Sequence, residues 1–172
     1  MIEIYSDELL SRSFSLRAGD RIYLSGVVYT ARDAAHKRIL QLIKNGDPLP
    51  FPVKGSAIYY AGPTPTMPGK VIGSCGPTTS SRMDVYAPTL YDMGLAATIG
   101  KGPRSPEVIE AIRRNGAVYL AALGGIGALA AKSVVSLEVI AFDDLGCESV
   151  KKLTFDRFPL YVGVDPKGNS IF

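Results

Sequence analysis

The sequence predicts an α/β fold with mixed sheets, arranged as a single domain over residues 1–172. Three observations carry that expectation. Through the middle of the chain, segments rich in β-branched and aromatic residues alternate with amphipathic, capped segments, the pattern of a parallel sheet with helical crossovers. Both ends are richer in strand-like segments and are expected to pair differently. With 47% hydrophobic and 20% charged residues, the chain can bury a sizeable core, which excludes wholesale disorder.

Residues 1–20 read as a polar lead-in with a short strand or arm. RIYLSGVVYT, 21–30, is a strand by composition. Asp33 then caps or charges the start of a helix, AAHKRILQLIKNG, whose apolar Ile39, Leu42 and Ile43 share a face and which Gly46 stops. Residues 47–70 are the most proline-rich stretch and predict rigid loops around a short strand at 57–61. KVIGSCGPTTSSRMDVYAPTLYDMG reads as strand, Gly-Pro turn, then helix. AATIGKG is a short strand ending in a glycine loop. SPEVIEAIRRNG is a helix with Ser105 as N-cap, Pro106 at its first position and Gly116 past its end. AVYLAAL is a buried strand and GGIGALAAK a small-residue helix. SVVSLEVIAF and KLTFDRFPLYVGVD add further strands.

Composition narrows the function classes. A net charge of +3 is too mild for a nucleic-acid binder, which shows a concentrated basic stripe, and is compatible with an anionic small molecule. Two cysteines, Cys75 and Cys147, cannot make a disulfide framework. Gly, charge or Pro interrupts every apolar run before it reaches the length of a membrane span, and MIEIYSDELL lacks the apolar core of a signal peptide. A cytoplasmic location is the resulting expectation.

Three segments carry candidate chemistry. In GPTTSSRMD, 76–84, the hydroxyls Thr78, Thr79, Ser80 and Ser81 fall at an expected helix start, where free N–H groups and the helix dipole favour an anion. Arg82 lies one turn on and is suited to a bidentate carboxylate contact. An ordinary N-cap beside an exposed arginine accounts for the same residues. In TIGKG, 98–102, Lys101 stands at the end of an expected parallel strand, where open α/β sheets place ligands; a solvated lysine in a surface turn is the other reading. In TARDAAHKR, Arg32 follows a strand and opens a helix, pointing either into a cleft or to an ion pair with Asp33 or a nearby acid. His36, the single histidine, reads as a bystander on an exposed helix face.

Two further patterns resemble nucleotide motifs. Gly94 to Lys101 is no P-loop: one residue too many separates its glycines, and Gly102 stands where a magnesium-binding Ser or Thr belongs. GIGALA, 125–130, fits G-x-G-x-x-A after a strand, with Asp143 near the place of a ribose-binding acid. Against it, too few residues follow for the crossover that parallel strands need. The glycines then serve close helix packing, or a helix N-terminus facing a ligand.

Taken together, AGPTPTMPGKVIGSCGPTTSSRMDVYAPTLYDMGLAATIGKG, then AVYLAALGGIGALAA, then FPLYVGVDPKGNSIF, resemble the beta subunit, or C-terminal domain, of the class I iron–sulfur fumarate hydratase and tartrate dehydratase family. The resemblance runs from about LSGVVYTARDAAHKR to the C-terminus. It implies a swivelling β/β/α domain of three layers. It also implies half of a hydro-lyase site for a C4 dicarboxylate, either fumarate/malate or tartrate/oxaloacetate. By position, Arg32, Thr78, Thr79, Arg82 and Lys101 match the family's substrate-binding set, with Thr78 the candidate base for the proton at carbon 3. The family's [4Fe–4S] cluster is held by three cysteines of a partner alpha subunit or N-terminal domain. The expectation here is therefore no metal on this chain, a separate cluster-bearing alpha subunit, no activity without it, and a hetro-oligomer or, for the isolated chain, self-association. Two other classes remain in view: a nucleotide-binding oxidoreductase built on Gly125–Ala130, which tight NAD binding would reveal, and a non-catalytic assembly module, in which Arg32, Arg82 and Lys101 would be dispensable.

Overall fold

In the computed structural model, residues 1–123 and 125–172 are described; Gly124, within the expected small-residue helix, lies outside the described residues. Among these residues, seven strands form one mixed sheet: β1 Ile2–Tyr5, β2 Arg21–Thr30, β3 Ala57–Tyr59, β4 Ala97–Gly100, β5 Val118–Ala121, β6 Val134–Ala141 and β7 Val150–Val164. Their order is β1-β2-β3-β4-β5-β7-β6, and β7 pairs with β2 as well. The pairings β2–β3–β4–β5–β7 therefore return to β2, and the sheet closes on itself. β1 through β5 run parallel, while β7 is antiparallel to β2, β5 and β6. The alternating middle is parallel as expected. β1, at the strand-rich N-terminal end, is parallel too, and a single sheet replaces the plural mixed sheets.

Among the described residues, five α-helices accompany the sheet: α1 Leu9–Arg12, α2 Asp33–Asn45, α3 Ala87–Asp92, α4 Pro106–Asn115 and α5 Gly127–Lys132. α2 and α4 start and stop where their residues say. Ser105 Oγ accepts from the Val108 amide at 3.3 Å, and Gly46 and Gly116 take the left-handed conformation at φ 71° and 61° that ends each helix. Asp33 is the first helical residue rather than the cap, which is Arg32.

Two cores lie on opposite faces of the sheet. Ile22, Leu24, Tyr59, Ile99, Leu120, Phe155, Phe158 and Leu160 fill the first. Ile58, Tyr60 and Tyr119 of the alternate positions pack against Ile39, Leu90, Val108 and Ile112 of α2, α3 and α4 in the second. A bulge in β7 explains one apparent violation of strand alternation. Leu24 pairs with Phe158 but Gly26 with Phe155, so β7 carries an extra residue there, with Arg157 at φ 52°. The parity shift lets Phe155 and Phe158, three apart, both face inward. Their rings sit 4.6 Å apart, and Tyr59 meets each edge-on.

Three expectations change on folding. The strand expected before Gly76 is absent: residues 70–78 run without regular structure. Their amides go to single partners, Cys75 N to Gly127 O and Thr78 N to Tyr60 O, rather than to a ladder. The helix expected after Pro77 is a four-residue 3-10 turn, Ser80–Met83, and the chain restarts as α3 with Pro88 in its first turn. His36 is fully buried, not exposed. It shares the inward face of α2 with Ala35 and Ile39, and its ring packs against Tyr60 and Tyr86.

Candidate functional site

The carboxyl ends of β2, β3 and β4 come together, and the candidate residues arrive there on separate pieces of backbone. Arg32 follows β2 as the cap of α2. Tyr60 to Gly62 follow β3, and the Ala31 amide donates to Tyr59 O at 3.2 Å, which sets the two segments side by side. Lys101 follows β4. This is the edge at which a parallel sheet leaves backbone ends free to meet a ligand.

The Gly76–Thr79 segment is held from below and from both sides. Buried Tyr59 donates its hydroxyl to Cys75 O at 2.6 Å, the Cys75 amide donates to Gly127 O at 3.0 Å, and the Thr78 amide donates to Tyr60 O at 2.7 Å. Gly127 is glycine because a Cβ there would overlap Ser74 Oγ and press on the Gly76 amide. The close-packing reading of GIGALA is thus the one the structure supports. The dinucleotide reading fails on topology: α5 has only six residues, and β6 runs antiparallel beside β7 instead of parallel beside β5.

Thr79 and Lys101 form a parallel bridge, and the Ser80 amide donates to Lys101 O at 2.9 Å. Gly100 permits this approach, since a Cβ there would overlap Ser80 Oγ and crowd Tyr60. Arg82, half-exposed on the 3-10 turn, donates Nε to Asp33 Oδ1 at 3.1 Å and brings Nη2 within 3.0 Å of Oδ2. Arg32 Nη2 lies 3.8 Å from the same Oδ2. Arg32 Nε is buried without a hydrogen-bond partner, and Asp33 Oδ2 is buried without an aligned one. The aliphatic part of Arg32 rests against Gly62, which has no side chain to displace it. All five candidates thus gather at one edge, Arg32 and Arg82 through Asp33, Thr79 and Lys101 through the bridge, Thr78 beside Thr79. The anion reading based on free helix-start amides weakens, because the Thr78 and Ser80 amides already have carbonyl partners. The charges remain: Arg32 and Arg82 share the Asp33 carboxylate, and Lys101 stands on the Thr79 bridge.

Beneath this edge lies a buried network that the sequence did not announce. Arg104, its side chain wholly buried, donates Nε to Asp84 Oδ1 at 2.7 Å, Nη1 to Thr98 Oγ1 at 2.8 Å and Nη2 to the Tyr60 hydroxyl at 3.2 Å. Its guanidinium stacks over Tyr60 and Tyr119. The direction of each hydroxyl follows by elimination. Tyr91 donates to Val118 O, so it accepts from Thr98; Tyr119 donates to Gly102 O, so it accepts from Ser80. Burial opposes the charge on Arg104, but Tyr60, Tyr91 and Asp84 around it outweigh that and hold its pKa above the usual arginine value. Burial pushes the Tyr119 hydroxyl up to about 12, so it stays protonated as a donor. The only local hint of this network was Asp84 in RMD, 20 residues from its partner.

A second buttress stands behind Arg32. Glu148 Oε1 accepts from the Ala34 amide at 3.2 Å, occupying a free amide of the α2 start. Lys151 donates Nζ to Cys147 O and Ser149 O, both at 3.1 Å, and to Ser149 Oγ at 2.8 Å, fixing the turn from which Glu148 reaches. Burial lowers the pKa of Lys151. His36 donates Nδ1–H to Arg32 O at 2.8 Å, the tautomer that a carbonyl partner requires. Burial, with the Arg104 charge nearby, holds His36 down at about 4 despite the Arg32 carbonyl, so it is neutral at neutral pH.

The thiols do not suit a metal. Burial pushes Cys75 up to about 12, Cys147 is exposed, and no group of three or more His, Cys, Asp or Glu side chains among the described residues is placed to hold a metal ion. No helix among them is long and apolar enough to cross a membrane.

A family model described as fumarase C-terminus matches residues 1–172. The chain is 42% identical over 156 residues to fumarate hydratase 2 of Leishmania major, covering 90% of this chain and 28% of that protein. It is 38% identical over 167 residues to the aerobic class I fumarate hydratase of Escherichia coli (strain K12), covering 96% and 30%. It is 42% identical over 163 residues to a putative L(+)-tartrate dehydratase subunit beta of Methanocaldococcus jannaschii, covering 91% and 84%. The chain thus spans about three-tenths of the length of these fumarate hydratases and most of the length of the tartrate dehydratase subunit.

Proposed function

This chain belongs to the fumarase C-terminus family, and on that premise we propose that it supplies the dicarboxylate-holding half of a hydro-lyase site. The reaction is reversible addition of water across the double bond of a C4 dicarboxylate. The observation that supports this reading most is the convergence of Arg32, Arg82 and Lys101 at the carboxyl ends of β2, β3 and β4, beside Thr78 and Thr79. A dianion requires such an excess of positive charge, and a planar guanidinium matches a carboxylate two bonds at a time.

The residues divide the work by their chemistry. Arg32, Arg82 and Lys101 hold a carboxylate and align the reacting bonds. Their charge also steadies the negative charge that develops beside a carboxylate as the carbon-3 proton leaves. Thr78, its amide tied to Tyr60 and its side chain half-buried, is the group through which that proton passes. Thr79 presents its hydroxyl from the bridge to Lys101.

Class I fumarate hydratases are iron–sulfur enzymes. The two cysteines described above do not fit a cluster, so we place the cluster on a partner alpha subunit. The tartrate dehydratase relative is itself called subunit beta, in keeping with such a partner. The ring of strands with helices against one side is consistent with a swivelling β/β/α domain, and two free thiols are consistent with a reducing cytoplasm.

The test is an anaerobic assay of fumarate, L-malate and tartrate with this chain, with a cluster-bearing alpha subunit, and with both. Turnover only in the mixture is expected and names the substrate. A formed complex with an intact cluster and no turnover of any of the three would refute the proposal.

A further inference from the structure

We infer that Asp33 is a positioning residue for this site, fixing which edge of Arg82 a substrate carboxylate meets and trimming the positive charge of the site; the inference rests on the function proposed above. A guanidinium offers two bidentate edges, Nε with Nη2 and Nη1 with Nη2. Asp33 lies against the first: Nε donates to Oδ1 at 3.1 Å, and Nη2 stands 3.0 Å from Oδ2 as an ion pair without an aligned hydrogen bond. The second edge is the one left for a ligand. Asp33 also lies 3.8 Å from Arg32 Nη2, so one carboxylate sits between both arginines.

The two side chains differ in what supports them. Arg82 projects from a four-residue turn and is half-exposed, so alone it would sample many rotamers. Asp33 begins the 13-residue α2, whose neighbouring Ala34 amide is capped by Glu148. The rigid element therefore orients the mobile one. A part-exposed ion pair adds little to stability, so its value lies in preorganisation, which sets how well bound groups are aligned for reaction. In charge terms, Asp33 offsets part of the positive charge that Arg32 and Arg82 bring to the site.

The test uses the complete complex with a cluster-bearing partner, comparing wild type, Asp33→Asn and Asp33→Glu. Turnover is measured, together with binding of succinate, an unreactive C4 dicarboxylate, over a range of ionic strength. Asp33→Asn keeps the wild-type melting temperature but lowers kcat about tenfold or more, while KM is unchanged or falls at low salt. Its succinate affinity weakens more steeply with salt, because the site carries one more net positive charge. Asp33→Glu restores the salt dependence and not kcat, because the fork is displaced by a methylene. A working wild-type complex beside an Asp33→Asn variant with unchanged kcat and unchanged salt dependence overturns the inference and leaves the proposed function standing. A wild-type complex that binds succinate without turnover sinks the proposed chemistry, and the salt dependence of the variant still decides the role of Asp33. A wild-type complex that neither binds nor reacts overturns both.

Discussion

Thr79 and Lys101 face each other across a parallel bridge, and the Ser80 amide closes the pair by donating to the Lys101 carbonyl at 2.9 Å. The backbone of Lys101 is therefore fixed. Its ammonium has no carboxylate within ion-pairing distance among the described residues, whereas Arg32 and Arg82 share Asp33. Lys101→Met should leave the melting temperature within a degree or two and lower kcat/KM by about 100-fold, the cost of removing a charged contact to a ligand. Steady-state kinetics of the complex and a thermal melt of the chain check both halves.

Thr78 is seated by its amide, not its hydroxyl, so Thr78→Ala should fold as the wild type does. Turnover should fall by a factor of about 100 to 10,000, the range for loss of a proton-transfer group, with succinate affinity changed far less. Unchanged turnover in a pre-steady-state assay would remove Thr78 from the mechanism.

Arg104 should prove indispensable to stability. Replacing it with Met leaves Asp84, whose side chain is only 12% exposed, with the Ser105 amide but no cation, and leaves Thr98 and the Tyr60 hydroxyl without their donor. Breaking a buried ion pair from one side costs about 3–5 kcal/mol. Tyr119→Phe keeps the ring under the guanidinium and removes only the link between Ser80 and Gly102, at a cost of about 1–2 kcal/mol. Urea denaturation of the two variants should rank them in that order.

His36 should make the fold acid-sensitive. It titrates near 4 when folded and near 6.5 when unfolded, so between those values the unfolded chain binds a proton that the folded chain refuses. Its contribution is complete above about pH 6.5 and is lost as pH falls towards about 4, reaching roughly 3 kcal/mol. Melts of the wild type and His36→Gln from pH 7 to 4 isolate the effect, since the Arg104 and Asp33 charges near His36 are common to both proteins. The wild type should lose more stability over that window than the variant.

The elements most legible in the sequence were those whose signals are local. β2 has its β-branched run, and α4 has Ser105, Pro106 and Gly116 as start and stop, and both fold within those limits. Lys101 was legible through the rule that places ligands at the carboxyl ends of parallel strands, whereas Arg82 was singled out from an expected helix start that folds as a 3-10 turn, and the grouping of Arg32, Arg82 and Lys101 came from the family resemblance. What escaped depends on distant partners. Nothing between Gly102 and Ser105 marks Arg104 as buried, because its acceptors come from β4, from the residue after β3 and from Asp84. His36 did carry a signal, since it stands three residues before Ile39 and so on the apolar face. Its polarity argued for solvent, and burial between two tyrosines prevailed. The missing strand before Gly76 reflects a segment whose glycines and prolines favour single tethers over a ladder.

The long β7 that closes the ring also dictates when binding capacity can appear. Arg21 pairs with Tyr161 and Tyr29 with Lys152, so the first core strand waits for almost the last residues of the chain. Contacts this distant in sequence form slowly, because the intervening chain must be drawn in before any of them forms. A nascent chain ending before Val150 would already hold Arg32, Thr78, Arg82 and Lys101, yet the free edges of β2 and β5 would lie open to other chains. Chaperone dependence during synthesis should therefore be concentrated in the interval before β7 emerges, and a truncated chain should aggregate rather than bind.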